Sequence, residues 1–142
     1  LKPLVQRFRP THTEEIANLI HVVNGYRGGR YGFVSSHAAN SFGAAMLLAL
    51  LFRNRGLTTA LIVWASIVSY SRMYLGVHYP GDIICGAAVG VVSAYLFYKI
   101  MLIVSRRTRL QVNFSARDAK LLTIATISNV IALLIVATIF EI

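Results

Sequence analysis

The chain lacks the residues on which several classes of enzyme depend. It has one cysteine, Cys85, so no intrachain disulfide can form, and only five of its 142 residues are aspartate or glutamate. Its cysteines, histidines and acids form no cluster with metal-ligand spacing, and a single acid, Asp82, falls in a polar motif. A two-metal hydrolase needs more ligands than that to hold its ions. The sequence therefore predicts no metal site and no other cofactor.

Charge of either sign is also scarce. Charged residues make up 13% of the chain and hydrophobic residues 56%, whereas about a quarter of a soluble domain is charged. Lysine and arginine outnumber the acids by 14 to 5, but they form no single basic stripe and no nucleic-acid-binding signature occurs. We therefore expect a membrane protein whose partners are lipids and not nucleic acid. The sequence leaves the oligomeric state open.

Four apolar segments are long enough to cross a bilayer, which takes about 20 residues with a lower limit near 17. The predicted fold is therefore all-α, a polytopic transmembrane helical bundle that forms one domain over residues 1–142. Cytoplasmic loops are enriched in lysine and arginine, so we expect the basic turn 53–55 and the basic stretch 105–119 in the cytoplasm. The predicted spans cover residues 36–52, 57–74, 82–104 and 120–140.

Three short polar motifs interrupt this apolar sequence, at residues 2–10, 34–37 and 71–82. An extramembrane loop, residues 11–34, separates the first two motifs. With four spans, all three motifs fall on the same face of the membrane, opposite the basic turns. Charged residues at the ends of spans are functional candidates by default. The motifs supply three cations, two imidazoles and one carboxylate, namely Lys2, Arg9, Arg72, His37, His78 and Asp82.

The cations suit a phosphate, because arginine forks match phosphate oxygens and lysine adds a point charge. Lys2 and Arg9 are seven residues apart and point the same way if the segment between them is helical, with Pro10 ending that helix. In the glycine-rich loop 24–32, Arg27 and Arg30 could hold a lipid headgroup or a second phosphate, or could simply be solvated.

The imidazoles suit a nucleophile and a proton donor. Ser35 and Ser36 can cap the helix that begins there, and its free backbone N–H groups form an anion site beside His37. Asp82 near the His78 ring would fix the imidazole tautomer and leave the other nitrogen free to attack.

Together the motifs resemble the signature of the type 2 phosphatidic acid phosphatase and vanadium haloperoxidase superfamily. That signature is K-x6-R-P, then P-S-G-H, then S-R-x5-H-x3-D. The first and third motifs are complete here, whereas Val34 and Ser36 stand where the family has proline and glycine. The resemblance covers about residues 2–104. Membrane members typically have six spans, and the chain begins without methionine, so we expect that an N-terminal part of the protein precedes it.

The resemblance implies an integral-membrane lipid phosphatase of the bacterial cytoplasmic membrane, with its site facing the periplasm or exterior. It implies that His78 takes the phosphoryl group as phosphohistidine, that Asp82 orients it, and that His37 protonates the leaving oxygen. The same resemblance implies a phosphate site without metal or cofactor, formed by Lys2, Arg9, Arg72, Ser35 and Ser36.

The lipid itself stays open among undecaprenyl diphosphate, phosphatidic acid, phosphatidylglycerol phosphate and lipid A phosphates. Two other functions also stay open. A vanadate-dependent haloperoxidase would oxidise halide with peroxide. A non-catalytic lipid-binding or transport protein with a degenerate site would bind phospholipid without releasing phosphate.

Overall fold

Helices form most of the computed structural model, which describes residues 2–20, 22, 25–108 and 114–139, the last four of these as backbone alone. Over these residues there is no β-strand, so the predicted all-α fold class is confirmed. In chain order the elements are α1 (Lys2–Val5), a single 3₁₀ turn (Pro10–His12), α2 (Glu14–Ala17), α3 (Ser36–Phe52), α4 (Arg55–Tyr74), α5 (Pro80–Thr108) and α6 (Ala116–Ile139).

The four long helices correspond to the four predicted spans. Helix α3 has the predicted bounds, and the other three begin two to four residues earlier than predicted. The predicted end of the last span, residue 140, lies outside the described residues. Over the described part of the chain, α5 and α6 are long and apolar enough to cross a membrane, and α3 is a shorter apolar helix. Helix α4 is long enough to cross a membrane but is less apolar, so length and composition support two of the four spans directly.

The turn between α3 and α4 is built from local signals. Arg53 ends α3 in the left-handed conformation, with φ of 50°. The side chain of Asn54 then caps α4 by accepting a hydrogen bond from the Leu57 N–H at 2.9 Å. Because this connection is so short, α3 and α4 run antiparallel. The start of α4 and the start of α6 share a small apolar core, so the basic turns lie at one end of the bundle. The buried residues of this core are Ala45, Leu57, Leu61, Ala65 and Ala119.

Helices α3 and α5 approach each other closely through glycine. A Cβ added to Gly86 would lie 2.5 Å from the carbonyl oxygen of Ser35, and one added to Gly90 would overlap the carbonyl of Ala39. The small-x3-small spacing of the two glycines therefore serves helix packing, as it does in many membrane bundles. Most of the surface of the two most clearly membrane-spanning helices is not packed against the rest of the chain. Only 11% of the most apolar stretch of α5, and 6% of that of α6, is buried within the chain.

The first motif does not form a continuous helix over residues 2–9, which was the condition for Lys2 and Arg9 to point the same way by helical spacing. Helix α1 ends at Val5, and Gln6 has a positive φ of 49°. The following residues are extended and pair with the end of the glycine-rich loop through a bridge between Phe8 and Tyr31. Backbone groups of this segment form hydrogen bonds with residues 30–32, so they do not need the hydrogen bonds of a helix.

Candidate active site

The three polar motifs meet at the end of the bundle where α3 and α5 begin. The N–H of Ser35, before α3, donates to the carbonyl oxygen of Asp82 at 3.0 Å. The guanidinium of Arg9 donates to the carbonyl oxygen of Val77 at 3.2 Å. The first and second motifs are therefore each joined to the third by a hydrogen bond.

His78 and Asp82 form a buried pair at the centre of this end. Their side chains are 1% and 0% exposed, and His78 Nδ1 lies 3.5 Å from Asp82 Oδ2. The same Oδ2 accepts the backbone N–H of Tyr79 at 3.0 Å. Within the described residues, His78 Nδ1 has no hydrogen-bond partner, so its contact with Asp82 is an electrostatic one. With Nδ1 directed at the carboxylate, Nε2 lies on the opposite side of the ring.

The surroundings of His78 keep its imidazole neutral. Burial lowers the pKa of His78 from its ordinary value to about 4, and the positive charge of Arg9 acts in the same direction. Asp82 opposes this shift without cancelling it. A neutral imidazole has a free lone pair on one nitrogen, which is the form that a nucleophile needs.

The three cations of the motifs form a cluster beside this pair, because Lys2 and Arg9 act on His78 and Arg72 acts on Arg9. Arg9 is buried, and burial is also the main cause that lowers the pKa of both Lys2 and Arg9. The charge of Arg9 lowers the pKa of Lys2 further, and the charge of Arg72 does the same to Arg9. In the described part of the chain, the Nε atoms of Arg9 and Arg72 are buried without a hydrogen-bond partner. These donors are therefore available to the oxygens of an anion.

The second motif forms the first turn of α3. Ser35 is fully buried, and its hydroxyl oxygen accepts the N–H of Ala38 at 3.4 Å, so it is the N-cap of the helix. Ser36 and His37 follow on the exposed side of that turn. The charges of Arg72, Lys2 and Arg9 act on the His37 ring, and those of Lys2 and Arg9 also act on His78, so the two imidazoles share the same cation cluster.

Arg27 and Arg30 lie outside this cation cluster. Both are exposed, and the carbonyl oxygen of Arg27 accepts the hydroxyl of Thr11 at 2.9 Å. The guanidinium of Arg30 lies over the ring of Phe8, 5.1 Å from its centroid. The structure therefore does not bring these two guanidinium groups to His78.

Two residues that the sequence analysis did not select touch the buried pair. Arg7 Nη1 donates to Asp82 Oδ1 at 3.1 Å, and a Cβ added to Gly32 would lie 3.2 Å from Asp82 Oδ2. Alternate residues of an extended segment point to the same side, so Arg7 and Arg9 share a face while Phe8 points away. That alternation was the available signal, but it is visible only if the first motif is taken as extended.

The geometry suits transfer of a phosphoryl group to nitrogen. A neutral, buried imidazole is backed by a carboxylate, bordered by three cations and accompanied by a second imidazole. Phosphoryl transfer relies mostly on positioning and on stabilising charge on the phosphate oxygens. In the described residues, no group of three or more His, Cys, Asp or Glu could hold a metal ion.

The chain belongs to the PAP2 superfamily, whose family model matches residues 1–106. This confirms the family resemblance inferred from the three motifs. It is 54% identical over 101 residues to a lipid A 4'-phosphatase of Bacteroides thetaiotaomicron, a match covering 70% of this chain and 45% of the relative. It is 42% identical to a lipid A 4'-phosphatase of Porphyromonas gingivalis, covering 71% of this chain and 43% of the relative.

A more distant relative is an undecaprenyl-diphosphatase of Bacillus subtilis, 31% identical over 47% of this chain and 34% of the relative. The matches thus span less than half the length of these curated relatives. No solved structure matches the chain.

Proposed function

We propose that the protein is an integral-membrane lipid phosphatase that works through a phosphohistidine on His78. The observation that carries this proposal is the buried His78–Asp82 pair, whose neutral imidazole lies in the field of Lys2 and Arg9, with Arg72 acting on Arg9. Membership of the PAP2 superfamily supports it independently.

In the first step, the Nε2 lone pair of His78 attacks phosphorus and forms an N–P bond. The bond between phosphorus and the lipid oxygen breaks, and that oxygen takes a proton from His37. Lys2, Arg9 and Arg72 stabilise the charge on the three equatorial oxygens. General acid help of this kind is worth about 10²–10⁴-fold in rate.

In the second step, water attacks the phosphohistidine and gives its proton to His37. The N–P bond breaks, its electron pair returns to Nε2, and orthophosphate leaves. Asp82 stabilises the partial positive charge that the His78 ring carries while it is phosphorylated. The backbone N–H groups at the start of α3, beside Ser35 and Ser36, provide further donors to the phosphate.

Among lipid phosphates, we propose a phosphate monoester on a sugar headgroup of the lipid A type as substrate. The names of the relatives at 54% and 42% identity support this choice. Undecaprenyl diphosphate is the second candidate, supported by the relative at 31% identity.

An open cavity of about 520 Å³ beside the first motif supports a sugar headgroup. It is lined by Phe8, His12, Thr13, Glu14, Glu15 and Arg30. Neither glutamate forms an ion pair with a described residue. Two free carboxylates would repel a second phosphate, whereas they accept hydrogen bonds from sugar hydroxyl groups. We propose that Arg30 contacts the headgroup here and that Arg27, exposed in the same loop, contacts its outer part.

For the membrane arrangement we propose that all four long helices span the bilayer, with the site at the periplasmic or outer surface of the cytoplasmic membrane. The close packing of α3 between α4 and α5 supports this for α3, which is shorter than the other long helices, and for α4, which is less apolar. The basic residues of the turns at the other end support a cytoplasmic position there.

The experiment that tests the function is phosphate release from a panel of lipid phosphates by the purified full-length protein in EDTA. We expect His78→Ala to abolish release, because the substitution removes the nitrogen that accepts the phosphoryl group in the proposed mechanism. Quenching the wild-type reaction at alkaline pH should trap a phosphate on His78, found by mass spectrometry. Retained turnover in a folded His78→Ala protein would contradict the mechanism, as would wild-type activity that EDTA abolishes.

A further inference from the structure

Asp82 is held by more than its histidine partner. Its carboxylate has two oxygens with different neighbours. Oδ2 faces His78 Nδ1 and accepts the Tyr79 N–H, whereas Oδ1 accepts the guanidinium of Arg7 at 3.1 Å. Because Asp82 is completely buried, water cannot replace a lost partner, and each oxygen depends on the donor that the fold supplies.

Arg7 is itself held in place for this contact. Its guanidinium carbon lies 4.4 Å from the centroid of the Tyr79 ring, so the planar group is stacked on an aromatic face. The hydroxyl of Tyr79 in turn shares a hydrogen bond with the hydroxyl of Thr13 at 3.2 Å. Arg7 is thus fixed between the residue that follows His78 and the carboxylate that supports His78.

The backbone sets which face Arg7 uses. The N–H of Gly32 donates to the carbonyl oxygen of Arg7 at 2.9 Å, which keeps the first motif extended at this point. Arg7 and Arg9 consequently reach the third motif from the same side, one at Asp82 and the other at Val77. Arg9 has donors left for phosphate, whereas Arg7 Nη1 is committed to the carboxylate.

We propose that Arg7 is a positioning residue that fixes the Asp82 carboxylate so that Oδ2 faces Nδ1 of the nucleophilic His78. This rests on the proposed function, and it assigns a role to a residue at one of the six positions that the K-x6-R-P motif leaves unspecified. Arg7 acts through Asp82 and does not bind the phosphate. Losing a residue that orients a metal ligand from behind typically costs about 10- to 100-fold in activity, and we expect a loss of the same order here.

A double-mutant cycle on the full-length protein tests this role, with Arg7→Gln, Asp82→Asn and the combination. The assay is steady-state phosphate release from the lipid phosphate that the wild-type protein cleaves best. We expect Arg7→Gln to lower kcat by about 10-fold or more with little change in KM. In the Asp82→Asn background the same substitution should change kcat by less than about twofold, because its effect runs through that carboxylate.

Two further variants separate positioning from general effects of charge or folding. Arg7→Lys keeps the cation but loses the stacked fork, so it should recover only part of kcat. Arg55→Gln removes an exposed arginine at the opposite end of the bundle and should leave kcat unchanged. Histidine ¹⁵N spectra should show a shifted His78 Nδ1 resonance in Arg7→Gln and not in Arg55→Gln.

The outcomes are distinguishable. If Arg7→Gln lowered kcat equally with Asp82 and with Asn at position 82, or changed only KM, the positioning role would be overturned and the phosphatase function would stay intact. An unchanged kcat in Arg7→Gln would overturn it as well. A wild-type protein that releases phosphate from no lipid in the panel would refute the proposed function, and this inference with it.

Discussion

The glycine at position 86 couples helix packing to the position of the proposed catalytic residues, and replacing it should damage both. Gly86 faces the carbonyl oxygen of Ser35, and an added Cβ would lie 2.5 Å from that oxygen. Ordinary van der Waals contact begins at 3.4 Å, so α5 must retreat from the start of α3 by about 1 Å. A backbone carbonyl cannot rotate away as a flexible side chain would. Overpacking of this kind costs about 1–3 kcal/mol of stability.

The effect on activity should exceed the effect on stability. The N–H of Ser35 donates to Asp82, so a shift between α3 and α5 moves His37 relative to His78 and Asp82. A misplacement of about 1 Å can cost about 100-fold in rate. We therefore expect Gly86→Ala to lower kcat for phosphate release by about that factor, with a lowered but still cooperative thermal unfolding transition.

Ala88→Val is the matched control for Gly86→Ala. It also enlarges a side chain of α5, but Ala88 is exposed on the outer face of the helix. We expect its kcat to stay close to that of the wild type. Gly86→Ala activity within about threefold of wild type, in a protein of unchanged thermal stability, would refute the reasoning, because the close approach would then not constrain the site.

Two other predictions concern the charge state of His78, the proposed nucleophile, and the selection of the lipid headgroup. Because the pKa of His78 is lowered to about 4, its ring should stay neutral from pH 7 down to pH 5 in a histidine ¹⁵N titration, and a midpoint near 6.5 would contradict this. The unfolded chain binds that proton near pH 6.5, so the free energy of unfolding should also fall as the pH drops from 6.5 towards 4. For the headgroup, Glu14→Gln with Glu15→Gln should lower the ratio of kcat/KM for a sugar-phosphate lipid to that for phosphatidic acid by about tenfold or more. Asp118→Asn, an exposed acid at the start of α6, should leave that ratio unchanged, and an unchanged ratio in the double variant would count against the cavity as a sugar site.

The first motif illustrates where the sequence left the local structure open. Lys2 and Arg9 are seven positions apart, a spacing that fits two turns of helix, and Pro10 fits the end of a helix. The structure ends the helix at Val5 because the rest of the motif pairs with residues 30–32. That partner is more than twenty residues away, and local periodicity carries no information about it. Arg7 was not selected from the sequence, because its position follows only from the extended geometry.

The long helices illustrate where prediction succeeded. Continuous apolar runs of 17 residues or more have few alternatives to a helix, since a helix satisfies its own backbone hydrogen bonds. Local caps then fix the ends, as Ser35 and Asn54 do for α3 and α4. Whether each run crosses the membrane is a separate question, because α4 is as long as a span without being as apolar.

The sequence by itself determined the all-helical fold, the bounds of α3, the family and which charged and imidazole groups the three motifs contain. These depend on composition, on local patterns and on fixed spacing within each motif. Only the tertiary structure decided which oxygen of Asp82 faces His78, that Arg7 holds the other oxygen, and that Arg30 lines a cavity with two glutamates. These features depend on contacts between residues far apart in the chain. A shift of about 1 Å, or a different side-chain direction, changes which atoms are in contact there.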